Sequence, residues 1–165
     1  FSRQAMALVV DFGSRFCRSG AAGSDQPAMT CFSAVFGAEA RALHASDTLS
    51  GNLLAPDLAY KPLYDLGTNT YDGEVLAALW RHAAAESKTR EAPGLAAPVL
   101  VAEHDLLEPT PFRKQNVEIL FDELGAPSVC FVKDAVLSAF AVGRTTGLVL
   151  DLGHRSTRAA AVLEG

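Results

Sequence analysis

Cysteine is scarce in this chain. The three present, Cys17, Cys31 and Cys130, lie far apart, and no two form a CxxC pair. An odd count without paired spacing argues against a disulfide framework or a thiolate zinc site, so all three are expected to be reduced core residues of an intracellular protein. Long apolar runs are missing too. None approaches the roughly 20 residues that cross a bilayer, and no charged-then-apolar leader opens the chain at Phe1. Basic clusters are absent: 14 Lys and Arg are scattered among 19 acids, for a net charge of -5. That balance argues against a direct nucleic-acid clamp, which needs grouped cations to neutralise phosphates. The four histidines, His44, His82, His104 and His154, share no metal-ligand spacing and read as surface or structural residues. "GRTTG" (143–147) lacks the lysine of a P-loop, and there is no Gly-x-Ser-x-Gly elbow.

What is present is enough apolar material for a core: 49% of 165 residues, a length suited to one domain or a domain with a small subdomain. "AMALVV" (5–10) reads as a buried strand, "RFCRSGAA" (15–22) as its hairpin partner and "AMTCFSAVF" (28–36) as a third strand. Residues 37–70 are weakly patterned and punctuated by Pro56 and Pro62, as a small insertion would be. "YDGEVLAALWRHAAAES" (71–87) predicts a helix capped by Asp72, with Val75, Leu76, Leu79, Trp80 and Ala83 on its apolar face. A strand at 98–103 follows. A second helix begins at Thr110, has Pro111 in its first turn and Val117, Leu120, Phe121 and Leu124 at helical spacing, and stops at Gly125. A strand at 128–132, a short helix at 134–143 and a final hairpin complete the order. Strands alternating with helices after an opening hairpin predict an α/β domain with a mixed sheet.

The two hairpins carry the chemistry. In "VVDFGSRFCRSG" (9–20) an apolar strand runs into Asp11, one residue, Gly13 and a turn. "LVLDLGHRSTRAA" (148–160) does the same with Asp151 and Gly153. Tight turns after strands present successive backbone N–H groups to an anion, and Gly13 and Ser14 leave room for close approach. Two such turns facing each other would clamp a polyphosphate. The acids make sense beside phosphates if a hydrated Mg²⁺ lies between them, and Arg18 would add a positive side chain.

Against this background, "DFGSRFCRSGAAGSDQP" (11–27) resembles the first phosphate loop of actins and actin-related proteins. "AVLSAFAVGRTTGLVLDLG" (135–153) resembles the family's connecting helix and second phosphate loop, and "FRKQNVEILFDELGAPSVCFV" (112–132) matches its helix-then-strand segment. The resemblance implies an actin-like ATPase fold of ribonuclease H type, with a mixed five-stranded sheet and flanking helices. Residues 1–36 and 71–165 would form the N-terminal lobe and 37–70 a variable insertion. The C-terminal lobe would lie beyond Gly165, the chain being a piece of something longer.

The same resemblance implies that Asp11, Gly13, Ser14, Arg18, Asp151, Gly153 and His154 contact ATP or ADP. Asp11 and Asp151 would hold Mg²⁺ through water. Arg18 in place of the usual lysine and the "KDAVLSAFAVG" wording (133–143) are similar to the nuclear actin-related protein 4 class. That similarity implies a nuclear subunit of chromatin-remodelling and histone acetyltransferase complexes, paired with actin on a helical scaffold segment, with no membrane role. A polymerising cytoskeletal ATPase is the alternative. Asp134 stands where the family's glutamine orients the attacking water, and His154 and Arg155 replace an acid and a glycine. The expectation is therefore a pocket that is weakened, or that holds ATP as a structural ligand without turning it over, and that has no catalytic residue of the actin kind. Asp134 would repel a phosphate charge about 5 Å away by roughly 3 kcal/mol at an effective dielectric near 20, to be relieved by protonation, metal or Arg155.

Overall fold

The computed structural model describes residues 6–36, 60–65, 70–87, 95–104 and 109–165. Its centre is a five-stranded sheet. β1 (Leu8–Phe12) pairs antiparallel with β2 (Phe16–Ala21), which pairs antiparallel with β3 (Met29–Phe32). On its other side β1 runs parallel to β8 (Val99–Glu103), and β8 parallel to β9 (Val129–Lys133). The sheet is thus mixed, in the order β3-β2-β1-β8-β9.

Alternation along β1 sets its two faces apart. Leu8, Val10 and Phe12 are fully buried on one face, while Val9 and Asp11 occupy the other. The buried face packs under helix α1 (Gly73–Glu86) and helix α2 (Pro109–Glu118). Asp72 caps α1 as expected, its carboxylate accepting from the N–H groups of Glu74 and Val75 at 3.1 and 3.0 Å. The predicted stripe Val75, Leu76, Leu79, Trp80 and Ala83 is all buried. Trp80 meets Phe12 edge-on at 5.1 Å, and its indole N–H donates to Asn116 Oδ1 at 2.6 Å. The Asn116 amide in turn donates to the Phe112 carbonyl. This polar bridge lets a tryptophan sit in the core with its donor satisfied.

The structure departs from the sequence reading in three places. The third strand breaks at Ser33 into β3 and β4 (Ala34–Phe36), because Ser33 leaves the β2 ladder. Its N–H goes to the Arg15 carbonyl, its hydroxyl to the Gly13 carbonyl, and its own carbonyl accepts from Leu63 N–H. β4 then pairs with β5 (Tyr60–Pro62), and β6 (Tyr64–Asp65) with β7 (Thr70–Tyr71). Second, α2 and the turn after it bury Phe112, Asn116, Ile119 and Leu120, whereas Val117 and Phe121 are exposed. A π turn over Ile119–Glu123 rotates the last side chains away from simple helical spacing. Third, Cys17 and Cys31 are buried opposite each other across β2 and β3, but Cys130 is exposed on the edge strand β9. The last two strands, β10 (Gly147–Leu152) and β11 (Thr157–Val162), form a two-stranded sheet of their own, which leaves the main sheet with the expected five. Most of the expected insertion, and His44 with it, lies outside the described residues.

Helix α3 (Asp134–Ala141) links the main sheet to this second hairpin and makes a small core with it from Ala135, Ala139 and Val162.

Candidate functional site

The two hairpins share more than a general plan. Asp11 lies opposite Arg18 in the first, and Asp151 lies opposite Arg158 in the second. The spelling Asp-x-Gly-x-Arg-x-x-Arg occurs at 11–18 and again at 151–158. The turns leave little room at either glycine: a Cβ on Gly13 would come within 2.9 Å of the Phe16 carbonyl oxygen and force a shift, and one on Gly153 would crowd that of Ser156 at 3.1 Å.

The turns face one cavity of about 600 Å³. All seven residues expected to contact a nucleotide line it: Asp11, Gly13, Ser14, Arg18, Asp151, Gly153 and His154. Arg15, Arg155, Arg158 and His104 line it as well, so four arginines face two aspartates. Tyr64 and Tyr71 form part of the wall. Burial holds the Tyr71 phenol as a neutral donor, its pKa pushed up to about 12. Asp134 does not line this cavity; it faces an adjoining one together with Asp11, His104, Asp151 and Arg158.

Between the hairpins runs a continuous ladder of charges. Asp11 Oδ1 is 3.1 Å from His104 Nε2, an ion pair rather than an aligned hydrogen bond. His104 Nδ1 is 2.7 Å from Asp134 Oδ2. Arg158 donates to the same Asp134 oxygen and, at 2.7 Å, to Asp151 Oδ2. Burial alone would lower the His104 pKa, but the carboxylates on either side outweigh it and hold the imidazolium up to about 9. Asp134 is the counterpart. Burial would raise its pKa, yet hydrogen bonds from His104 and Arg158 bring it down to about 2. The charge of Asp134 is therefore met by His104 and Arg158 and not by Arg155, which donates instead to the Tyr64 carbonyl at 3.0 Å.

Sequence reasoning missed His104 and Arg158. The signal for Arg158 was available, since the repeated spelling places an arginine seven residues after each aspartate. His104 follows directly on β8, and the register Asp11↔Ala102 sets it just beyond the tip of β1. The outer end of parallel strands is where α/β sheets place their sites.

The chain matches the actin family profile over residues 2–165. It belongs to the actin family. Its relatives include actin-like protein 7B of Rattus norvegicus, 30% identical over 99% of this chain and 40% of the relative. Actin-like protein 9 of Mus musculus is 29% identical over 96% of this chain and 39% of its own length. Actin-related protein 4 of Oryza sativa subsp. japonica is 29% identical over 96% of this chain and 42% of its own length. The chain thus spans about two-fifths of the length of the curated relatives it matches. The expected α/β actin fold with a mixed five-stranded sheet holds. Within the family the relatives support an actin-related protein without singling out one class.

The actin family generally binds ATP or ADP with a divalent metal, and the donor set here can be tested against both. The turns, the cavity and its arginines suit a phosphate chain. The carboxylates suit a divalent cation poorly, because each already faces a cation of the protein. Arg18 is 3.6 Å from Asp11 on the side away from His104, and Arg158 bridges Asp134 and Asp151. For a doubly charged ion, a guanidinium about 4 Å away contributes a repulsion of roughly 8 kcal/mol at an effective dielectric near 20, which offsets the attraction of one carboxylate at the same distance. Among the described residues no group of three or more His, Cys, Asp or Glu side chains is arranged to hold a metal ion.

Proposed function

We propose that this protein is a non-hydrolysing, actin-related structural subunit whose cleft holds a nucleotide as a ligand rather than as fuel. The observation that carries this reading is the position of Asp134. Its Oδ2 is shared by His104 and Arg158 and its Oδ1 accepts from the Ala135 N–H at 2.7 Å. A carboxylate so committed is not available to orient an attacking water, and its place in the sequence is the one where the family's water-orienting glutamine would stand. Asp11, Gly13, Ser14, Arg18, Asp151, Gly153 and His154 would contact the ligand, which stabilises the folded protein by mass action.

The proposed setting is the nucleus, as a subunit of chromatin-remodelling or histone acetyltransferase assemblies in which actin and a helical scaffold segment are the partners. The "KDAVLSAFAVG" wording and Arg18 support it, as does a relative named actin-related protein 4 among those matched. The test is a multiple-turnover assay of full-length protein with excess labelled ATP, run beside affinity purification. Retained, unhydrolysed nucleotide co-eluting with actin and chromatin-complex subunits is the expected result. Several turnovers per minute, or protein that pellets as filaments with ATP and Mg²⁺, would replace this reading with that of a cytoskeletal ATPase.

A further inference from the structure

The ladder between the hairpins bears on how an anion is held. In the main cavity the arginines outnumber the aspartates, four to two, before either histidine is counted. Two of those arginines are on the exposed side of the first hairpin. Arg15 lies over the Phe16 ring, 5.2 Å from its centroid, and Arg18 lies loosely beside Asp11. Two further cations, His104 and Arg158, are inserted among the acids and are mostly buried, with 18% and 16% of their side chains exposed. Arg158 is permanently charged, and its Nη2 alone reaches both Asp134 and Asp151 at the point where the two hairpins converge.

A divalent cation in a phosphate site does two things: it neutralises acids next to phosphates, and it bridges the acids to the phosphate oxygens. The first task is already done here by side chains. The second can be done by guanidinium groups, which bind phosphate oxygens directly through paired N–H donors. We propose that this cleft takes the phosphate chain of a nucleotide free of any divalent cation, with Arg158 and His104 standing at the strand-tip carboxylates in the cation's place. The proposal rests on the nucleotide reading above and adds to it the form in which the ligand binds.

Calorimetric titration of full-length protein with ATP, once in excess EDTA and once in millimolar Mg²⁺, decides it. The expected result is an affinity in EDTA equal to or tighter than that in Mg²⁺. A loss of more than about tenfold on chelation overturns the proposal. A parallel titration with Mn²⁺ read by electron paramagnetic resonance should show no protein-dependent loss of the free-ion signal beyond what ATP itself removes; a stoichiometric loss overturns the proposal. The combined Arg15→Gln and Arg18→Gln variant should bind ATP about tenfold more weakly in EDTA, and unchanged binding would count against it. The failures are distinguishable: binding that needs Mg²⁺ sinks the metal-free form alone, whereas no binding in either buffer sinks the nucleotide reading and this inference with it.

Discussion

The first and second hairpins are near copies in register and spelling, yet they live in opposite surroundings. The first is embedded in a five-stranded sheet, and Phe12, one residue past its aspartate, is 2% exposed. The second stands as a two-strand ribbon backed by one short helix, and Leu152, at the matching place, is 74% exposed. The polar partners are reversed. Arg18 of the embedded hairpin is half exposed and touches one acid at 3.6 Å, while Arg158 of the ribbon is largely buried and holds two. One hairpin is anchored by apolar packing and the other by charge. Identical local spelling therefore does not fix what a residue contributes; its neighbours in space do.

That contrast can be broken experimentally. The largest effect belongs to packing. Phe12→Ala should destabilise the full-length protein by about 3–5 kcal/mol in urea denaturation. Leu152→Ala should stay within about 0.5 kcal/mol, unless further chain or a partner covers that strand. A matching loss at Leu152 would therefore reveal such a cover.

Next come the charges. Arg158→Ala leaves two acids facing each other and should cost about 2–4 kcal/mol, whereas Arg18→Ala should cost no more than about 0.5 kcal/mol. Equal losses in chemical denaturation would mean that the ladder does not anchor the ribbon.

The pH dependence separates the two ends of the ladder. The folded-state pKa of His104, about 9, lies above the ordinary imidazole value of 6.5. Its contribution, at most about 3 kcal/mol, is complete below pH 6.5 and disappears as pH rises through 9. Asp134 moves the other way, from 3.8 to about 2, so its contribution is present above pH 3.8 and lost as pH falls through 2. Denaturation midpoints measured from pH 5 to 10 should decline on the alkaline side, and His104→Gln should flatten that decline. The smallest difference is at the turns. Gly13→Ala should cost about 1–3 kcal/mol, and Gly153→Ala less, since an added Cβ would approach carbonyl oxygen to 2.9 Å in the first turn against 3.1 Å in the second. A reversed order would mean that the first turn relaxes more readily than its place in the sheet suggests.

Much of the fold could be read from the sequence because it is written locally. The α1 stripe, its Asp72 cap and the alternation of strand and helix depend on residues close together in the chain. What escaped depended on tertiary partners. Nothing local announces that Ser33 will abandon one strand for another, or that a π turn will swing Phe121 outward. The candidate site was legible at its two aspartates and glycines, which are punctuated by the turns. Arg158 could have been found from the repeated spelling, whereas His104 was invisible for a different reason: its role exists only once acids from distant segments have been brought together.

Ser33 has a consequence of another kind. Its carbonyl takes the N–H of Leu63, and the Leu63 carbonyl takes the N–H of Asp72, the residue that caps α1. Those two stitches, with the pairing of Phe36 to Tyr60, hold the borders of the intervening stretch side by side. Borders fixed in this way hold the phosphate-facing turn by their own contacts, so changes of length or wording between them need not disturb it. A lineage could try out new recognition surfaces there without reopening the cleft.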